Sequence, residues 1–478
     1  MRALMVQGTS SWAGKSLIAT ALCRHLARQG VRVAPFKAQN MSNNARVVEG
    51  GEIGVAQYLQ AFAARTEPDV RMNPVLVKPE GMTRSQVVVA GRPDPTISSL
   101  PWRERASFLW PVVLQSLHSL MSEYEVLVLE GAGSPAEINL IQIDLTNYRA
   151  AVEADASVIV VADIDRGGAF AHLYGTWALV GDDARRRIRG FVLNKFRGDV
   201  SLLTPAPQRL TEMTGVPVIG VVPWFQHGLP DEDGASTPTN DRDDLANVAI
   251  IRYPFASNLD EFKLLEQVAM VRWARTRADL DGASFIVLPG SKHVAQDLAW
   301  LRSTGLDRAV VALARHGVRV LGVCGGLQML GQRLHDPEGV DGAGDGLGLL
   351  PLETTFQRDK LTRHTNVRFA PGIDGPWSAL SGLHSQGYEI RHGHTQANSR
   401  VQVAITNLGW VDGTVIGVTV HGLLEDAEIL GALFGKKPRI SLDSALDALT
   451  DKVMANLDAA FIEDLVGLAT ATNSVSSA

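Results

Sequence analysis

The stretch Gly8–Ser16, GTSSWAGKS, constrains this chain more than any other. It follows a short apolar run, Ala3–Val6, and opens a segment with helical periodicity, so it reads as a glycine-rich turn between a strand and a helix. Five residues separate Gly8 from Gly14, one more than in the usual phosphate loop, but the Gly14-Lys15-Ser16 ending is kept. Backbone N–H groups of such a turn, Thr9 among them, and the Lys15 ammonium would hold the phosphates of ATP, while the Ser16 hydroxyl would meet Mg²⁺. Further apolar runs at Val31–Phe36, Val126–Leu129, Ser157–Val161, Gly190–Leu193 and Val218–Val221 alternate with helical patterns. That rhythm predicts an α/β fold with a parallel sheet flanked by helices. Glu130, at the end of Val126–Leu129, and Glu52 are the acidic candidates for Mg²⁺, because ligands of open α/β sheets gather at that edge.

At 478 residues the chain exceeds one ordinary core, so two domains are expected. The polar, turn-rich run Gln226–Asp244 marks the boundary, giving a first domain at residues 1–228, a linker at 229–245 and a second domain at 246–468. Residues 469–478 are small and polar and are expected to form a disordered tail. A net charge of −6 leaves no footprint for nucleic acid or an anionic membrane. The N-terminus runs straight into an apolar strand, and no apolar run approaches the length of a membrane span. Only Cys23 and Cys324 are present, too few for a disulfide framework, so a reducing, cytoplasmic setting is expected. The oligomeric state is left open, a homo-oligomer included.

A second series of strands, Val248–Arg252, Phe285–Leu288, Val318–Val323, Val401–Ile405 and Thr414–Val420, predicts another α/β unit. Within it, VLGVCGG at Val320–Gly326 reads as a strand, a cysteine, two glycines and a helix over Leu327–Leu334. Cys324 would stand on a tight turn at a helix N-terminus, where N–H groups stabilise a thiolate and later an oxyanion. His384, His392 and His394 lie in a stretch that looks irregular and carries no cysteine, and they are expected to face solvent or substrate rather than a metal.

Nine stretches resemble cobyric acid synthase, over nearly the whole chain: PFKAQNMSNNA from Pro35, MNPVLVKP from Met72, EGAGSPAEINL from Glu130, VADIDRGGAFA from Val161, NKFRGD from Asn194, LPGSKH from Leu288, CGGLQMLG from Cys324, GYEI from Gly387 and VHGLLED from Val420. The resemblance implies a dethiobiotin-synthetase-like ATPase domain joined to a class I glutamine amidotransferase domain. It further implies amidation of the b, d, e and g carboxylates of (adenosyl)cobyrinic acid a,c-diamide, with glutamine, ATP and this corrinoid as substrates and Mg²⁺ as the metal. The corrinoid is expected as substrate only. By the same resemblance Lys37 would sit beside the transferred phosphoryl group, Asn194 and Lys195 would contact the purine, and Asp163, Asp165 and Arg166 would form an active-site loop. In the second domain Cys324 would attack glutamine and His421 would move protons. Gly290 and Gly325 would supply oxyanion N–H donors, and Gln328 would contact the glutamine. The class I pattern places a glutamate two residues after the histidine, but Leu423 stands there, so Glu425 or Glu389 is expected to orient His421.

Other readings of the same motifs are an a,c-diamide synthase, an amidotransferase for a cell-wall precursor, and a phosphate-loop switch with a dead amidotransferase domain. Switch ATPases of the chromosome- and septum-positioning type carry a lysine where this chain has Ser10, and retention of both Cys324 and His421 argues against a dead domain.

Overall fold

The computed structural model describes residues 2–81, 84–230 and 245–468; the expected tail and most of the expected linker lie outside that range. The first sheet has six parallel strands in the order Val218–Pro223, Ile188–Phe196, Ser157–Asp163, Arg2–Gly8, Val126–Glu130, Val33–Phe36. Apolar layers cover both faces, which is why its strands read as continuous apolar runs instead of alternating ones. After Arg2–Gly8 the chain builds one edge of the sheet and later the other, so the strand order reverses there. A crevice opens at such a reversal, beyond the carboxyl ends of the strands. The phosphate loop follows the very strand at which it opens.

The second sheet runs Ala269–Ala274, Ala246–Ile251, Phe285–Leu288, Arg319–Val323, Val415–Val418, Gly409–Asp412, Gln402–Ile405. Its first five strands are parallel and the last two antiparallel. Ala269–Ala274 and Gly409–Asp412 were not expected: the first is a half-buried edge strand and the second is only four residues long. The helix after Cys324 spans Gly325–Leu330, shorter than the Leu327–Leu334 that periodicity suggests.

Two expectations need correction. The stretch carrying His384, His392 and His394 is a regular strand, His384–Ala397, paired antiparallel with Leu352–Arg368. A hairpin wetted on one face carries polar residues along its length and hides from an apolar-run reading. Two of its histidines are engaged locally, His392 Nδ1 with Gln357 O at 3.2 Å and His394 Nε2 with Gln396 at 2.7 Å, and His384 is exposed. The second correction concerns residues 246–468 as one unit. The helices Leu442–Met454 and Ala459–Leu465 return to the first sheet, where Leu446, Leu449, Val453 and Ile462 join the core of Leu4, Ile18, Leu22 and Leu26. Fully buried Arg24 donates to Asp443 at 2.7 Å and Asp447 at 2.8 Å, so two helix-face carboxylates fix this return.

Candidate active sites

Gly14 has φ +100°, and a Cβ there would fall 1.9 Å from Asn194 Nδ2, so the turn has no room for a side chain. Asn194 donates to Ala13 O at 2.9 Å and Lys195 Nζ to Trp12 O at 2.6 Å; both brace the back of the loop. Thr9 N–H donates to Val161 O, which seats the loop on the neighbouring strand. Gly8 is tightly packed, with a Cβ there falling 3.0 Å from Lys15 Cγ. Lys15 Nζ spans the loop, donating to Ser10 O at 2.9 Å and Gly133 O at 3.2 Å.

Glu130 is the hub of this site. Its carboxylate accepts from Ser16 Oγ at 2.8 Å, Lys37 Nζ at 2.7 Å and Gln60 Nε2 at 2.6 Å. Burial disfavours its charge, but Lys37, Gln60 and Lys15 hold the carboxyl below the usual range. Lys15, Ser16, Lys37, Glu130, Asp163, Asp165, Arg166, Asn194 and Lys195 all line one cavity of about 530 Å³. Trp12, Trp224, Phe225 and Leu449, none of them expected, line it too. Asp163 pairs with Lys195 at 2.9 Å and Arg166 at 3.5 Å, and Asp165 pairs with Arg197 at 3.0 Å.

Glu52 does not belong to this group. It lies on the short strand Gly51–Gly54, fully buried, with Lys78 Nζ at 2.7 Å on one oxygen and Lys360 Nζ on the other. Burial opposes its charge, yet Lys360 and Lys78 hold its carboxyl down to about 2. Lys360 comes from the bulged part of the hairpin, between Phe356 and Leu361, so Glu52 joins the two sheet units instead of reaching the phosphate loop.

Cys324 sits at φ +50°, ψ −104°, a strained conformation for a residue with a side chain, between Val323 and the helix N-terminus. Its N–H donates to Val418 O at 2.7 Å, and Sγ lies 3.7 Å from Ile390 O. Close packing enforces the glycines around it: a Cβ on Gly325 would fall 2.7 Å from Ser291 N, and one on Gly290 2.7 Å from His421 Cε1. Gly290–Ser291 pairs with Ala256–Ser257, a ladder held by Asp297, which accepts from Phe255 N–H at 3.0 Å and Ser291 Oγ at 2.6 Å.

The acid that meets His421 is Glu261, not Glu425 or Glu389. Glu261 Oε1 is 2.8 Å from His421 Nδ1, and Oε2 accepts the Gly422 N–H at 2.7 Å. Both side chains are 1 % exposed. Burial opposes a charge on His421, but Glu261 and a hydrogen-bonded Cys324 push its pKa up to about 10. Glu389 is turned to Arg363 and Arg391, each at 2.8 Å, and Glu425 to Arg46 at 2.7 Å. Chain distance hid Glu261, since 160 residues separate it from His421. Its LDEFKLL run, Leu259–Leu265, mixes charged and apolar residues and gave no local clue.

Cys324 and Gln328 open into a second cavity of about 140 Å³. The first unit contributes Asn43, Lys78, Glu80 and Gln86 to it, the second Lys292, Lys360 and Arg391. Lys292 pairs with Glu80 at 3.3 Å and donates to Gln86 at 3.0 Å. Burial lowers Lys78 to about 7 and Lys292 to about 8, against the pull of Glu52 and Glu80.

A phosphate loop at the switch point of one sheet, and a strained cysteine with a histidine and a carboxylate at the edge of another, define an ATP-using glutamine amidotransferase. Residues 4–229 match the CobQ/CobB/MinD/ParA nucleotide binding domain and residues 247–429 the CobB/CobQ-like glutamine amidotransferase domain. A cobyric acid synthase of Variovorax paradoxus (strain S110) is 53% identical over 477 residues, 97% of this chain and 99% of the relative. One from Paracidovorax citrulli (strain AAC00-1) is 54% identical over 486 residues, 96% of each chain. The chain belongs to the cobyric acid synthase family, ATP-dependent ligases with glutamine as nitrogen donor.

Proposed function

We propose that this chain amidates the b, d, e and g carboxylates of (adenosyl)cobyrinic acid a,c-diamide, using ATP and glutamine. The observation that carries the reading is the pairing, within one chain, of the Ser16–Glu130–Lys37 cluster with the Cys324–His421–Glu261 cluster. A carboxylate is a poor acyl donor until an oxygen becomes a leaving group. Lys15 and the loop N–H groups bind and orient the ATP phosphates, so that a substrate carboxylate oxygen attacks the γ-phosphorus, giving an acyl phosphate and ADP. Ammonia then attacks the acyl carbon, and phosphate departs.

Ser16 Oγ and the Glu130 carboxylate converge within 2.8 Å and offer hard oxygen donors suited to Mg²⁺, which usually takes one or two protein carboxylates and completes its shell with phosphates and water. Bound there, Mg²⁺ would neutralise charge on the transferring phosphoryl group. Lys37 holds Glu130 in place and adds positive charge beside the same group.

On the glutamine side, the Cys324 thiolate attacks the side-chain amide carbon, His421 gives its proton to the departing nitrogen, and ammonia leaves a γ-glutamyl thioester. His421 then takes a proton from water, which hydrolyses the thioester to glutamate. N–H groups around Gly290 and Gly325 face the developing oxyanion, and Glu261 keeps the imidazole in one tautomer and orientation. Lys292, Lys360 and Arg391, with Lys78 partly charged, line the adjoining cavity beside Glu80 and Asp341, so cationic groups outnumber acidic ones along its wall, which suits the α-carboxylate of glutamine. Gln328 lies on the same wall.

Mass spectrometry of cobyrinic acid a,c-diamide incubated with the protein, ATP, Mg²⁺ and glutamine tests the reading. Each conversion replaces OH by NH₂ and lowers the mass by one dalton, so a ladder of such losses is expected. Cys324→Ser should lose the ladder with glutamine and keep it with concentrated ammonium at alkaline pH. An unchanged corrinoid under all conditions would overturn the assignment.

A further inference from the structure

Arg46 belongs to the nucleotide-binding unit, yet its guanidinium lies inside the glutaminase machinery of the other. Nε donates to Asp260 Oδ2 at 2.8 Å and Nη1 to Glu425 Oε2 at 2.7 Å, and Nη2 reaches both carboxylates. The guanidinium carbon stands 5.1 Å from the ring centre of Tyr388, which stacks on the His421 imidazole with centroids 5.3 Å apart and planes 19° from parallel. Asp260 is the chain neighbour of Glu261, the acid on His421. Arg46 therefore reaches the histidine indirectly by two routes, through the backbone that carries its acid and through the ring packed on its face.

The docking around it is specific. Asn44 Oδ1 accepts from Leu259 N–H at 3.1 Å, and Asn258 Oδ1 accepts from Ala45 N–H at 3.1 Å, a reciprocal pair just upstream of Arg46 in one segment and of Asp260 in the other. Asn258 has φ +54°, so the turn into Leu259–Phe262 starts from a conformation that this pairing helps to hold. Upstream in the same segment, Lys37 meets Glu130 in the nucleotide cavity, Asn40 lines that cavity and Asn43 lines the cavity of Cys324. Ten consecutive residues connect Glu130 to the support of Glu261.

We propose that Arg46 is a positioning residue for glutamine hydrolysis, contributed by the nucleotide-binding unit of the same chain, and that it sets the Asp260-Glu261 segment and Tyr388 against His421. A bare surface ion pair would not do this. Arg46 is 6 % exposed and Asp260 2 %, and two carboxylates share one planar cation whose fork fits both. Lysine could keep the charge but could not hold both acids and lie over the ring. The cavity of Cys324 is thus only half of what the glutaminase takes from the other unit; the second half is the orientation of its base.

The test uses the full chain. Arg46→Met should lower kcat for glutamine hydrolysis at least about tenfold, since removing one partner of a buried ion pair leaves two unpaired charges beside Glu261. KM for glutamine should stay within about twofold, because Arg46 does not line the glutamine cavity. ATP-driven amidation with ammonium should stay near that of the unaltered chain, and Arg46→Lys should recover part of the lost kcat. Equal losses with glutamine and ammonium in both variants would reduce Arg46 to a structural brace and overturn the proposal, as would unchanged glutamine turnover in Arg46→Met. The inference rests on the roles given to Cys324 and His421. Glutamine hydrolysis that survives Cys324→Ser would remove those roles, whereas a silent Arg46→Met alone removes only the positioning.

Discussion

Replacing Glu261 by Gln isolates the most consequential contact in the glutaminase. The carboxylate uses one oxygen for His421 Nδ1 at 2.8 Å and the other for the Gly422 N–H at 2.7 Å, both buried. A glutamine side chain of the same shape has one acceptor oxygen and no charge. It can serve Gly422 or His421, and it turns an NH₂ donor toward the other. In the folded protein His421 rises from 6.5 to about 10, which corresponds to about 5 kcal/mol in favour of the imidazolium at 1.36 kcal/mol per unit. Burial opposes that shift, and Glu261 and Cys324 produce it. A buried hydrogen bond to a charged group contributes about 2 kcal/mol, so losing it should slow glutamine turnover about 30-fold. The assay is glutamate release, alongside ammonium-driven amidation, which should not change. The same contact has a pH signature. A raised histidine pKa contributes stability that is complete below about 6.5 and is lost as pH climbs toward about 10, so the melting-temperature gap between the two proteins should be widest in mild acid and close in alkali. Glutaminase within threefold of the unaltered chain, or a gap that widens with pH, would refute this reasoning.

Lys15→Ala should abolish amidation with either nitrogen source while glutamate release persists; near-normal amidation would remove the phosphate loop from catalysis. Lys360→Gln should raise KM for glutamine several-fold with little change in kcat, and should narrow the preference for glutamine over its α-amide, which lacks the carboxylate; an unchanged preference would place that carboxylate elsewhere. Glu425→Gln leaves Arg46 paired with Asp260, so its effect on glutaminase should be several-fold smaller than that of Glu261→Gln, and the reverse order would restore Glu425 as the orienting acid. Isotopically labelled ammonium at low concentration should scarcely dilute nitrogen delivered from glutamine, and free mixing would exclude an enclosed route between the two cavities.

Short-range signals made most of the fold legible. Gly8–Ser16 reads as a turn between strand and helix, and short apolar runs such as Val126–Leu129 and Phe285–Leu288, spaced by helical patterns, read as buried strands. Cys324 and His421 were readable because each stands at a strand end with a distinctive neighbour, Gly325-Gly326 for one and Gly422 for the other. What escaped depends on residues far apart in the chain. Glu261 sits on a short 3₁₀ turn with no period of its own, and nothing local separates it from a solvated acid. Glu52 was a candidate metal ligand by residue type, and the approach of Lys78 together with Lys360, the latter over 308 residues, made it part of a buried ion pair instead. The hairpin Leu352–Arg368 with His384–Ala397 was invisible because its polar face breaks the apolar pattern.

The return of residues 442–466 to the first sheet bears on the order of events during synthesis. Leu457 bridges to Gly220 on the edge strand Val218–Pro223, Val221 N–H donates to Asn456 O, and Arg2 donates to Val466 O at 2.7 Å. The strands of that sheet are all made by residue 223, but its outer layer waits for some 240 residues more, about ten to fifty seconds at a ribosomal pace of roughly 5–20 residues per second. During that interval Ile18, Leu22 and Leu26 lack part of their cover, and Arg24 lacks both its acids. The nascent nucleotide-binding half should therefore be the portion that chaperones hold longest, and release would come only once the glutaminase half has itself emerged.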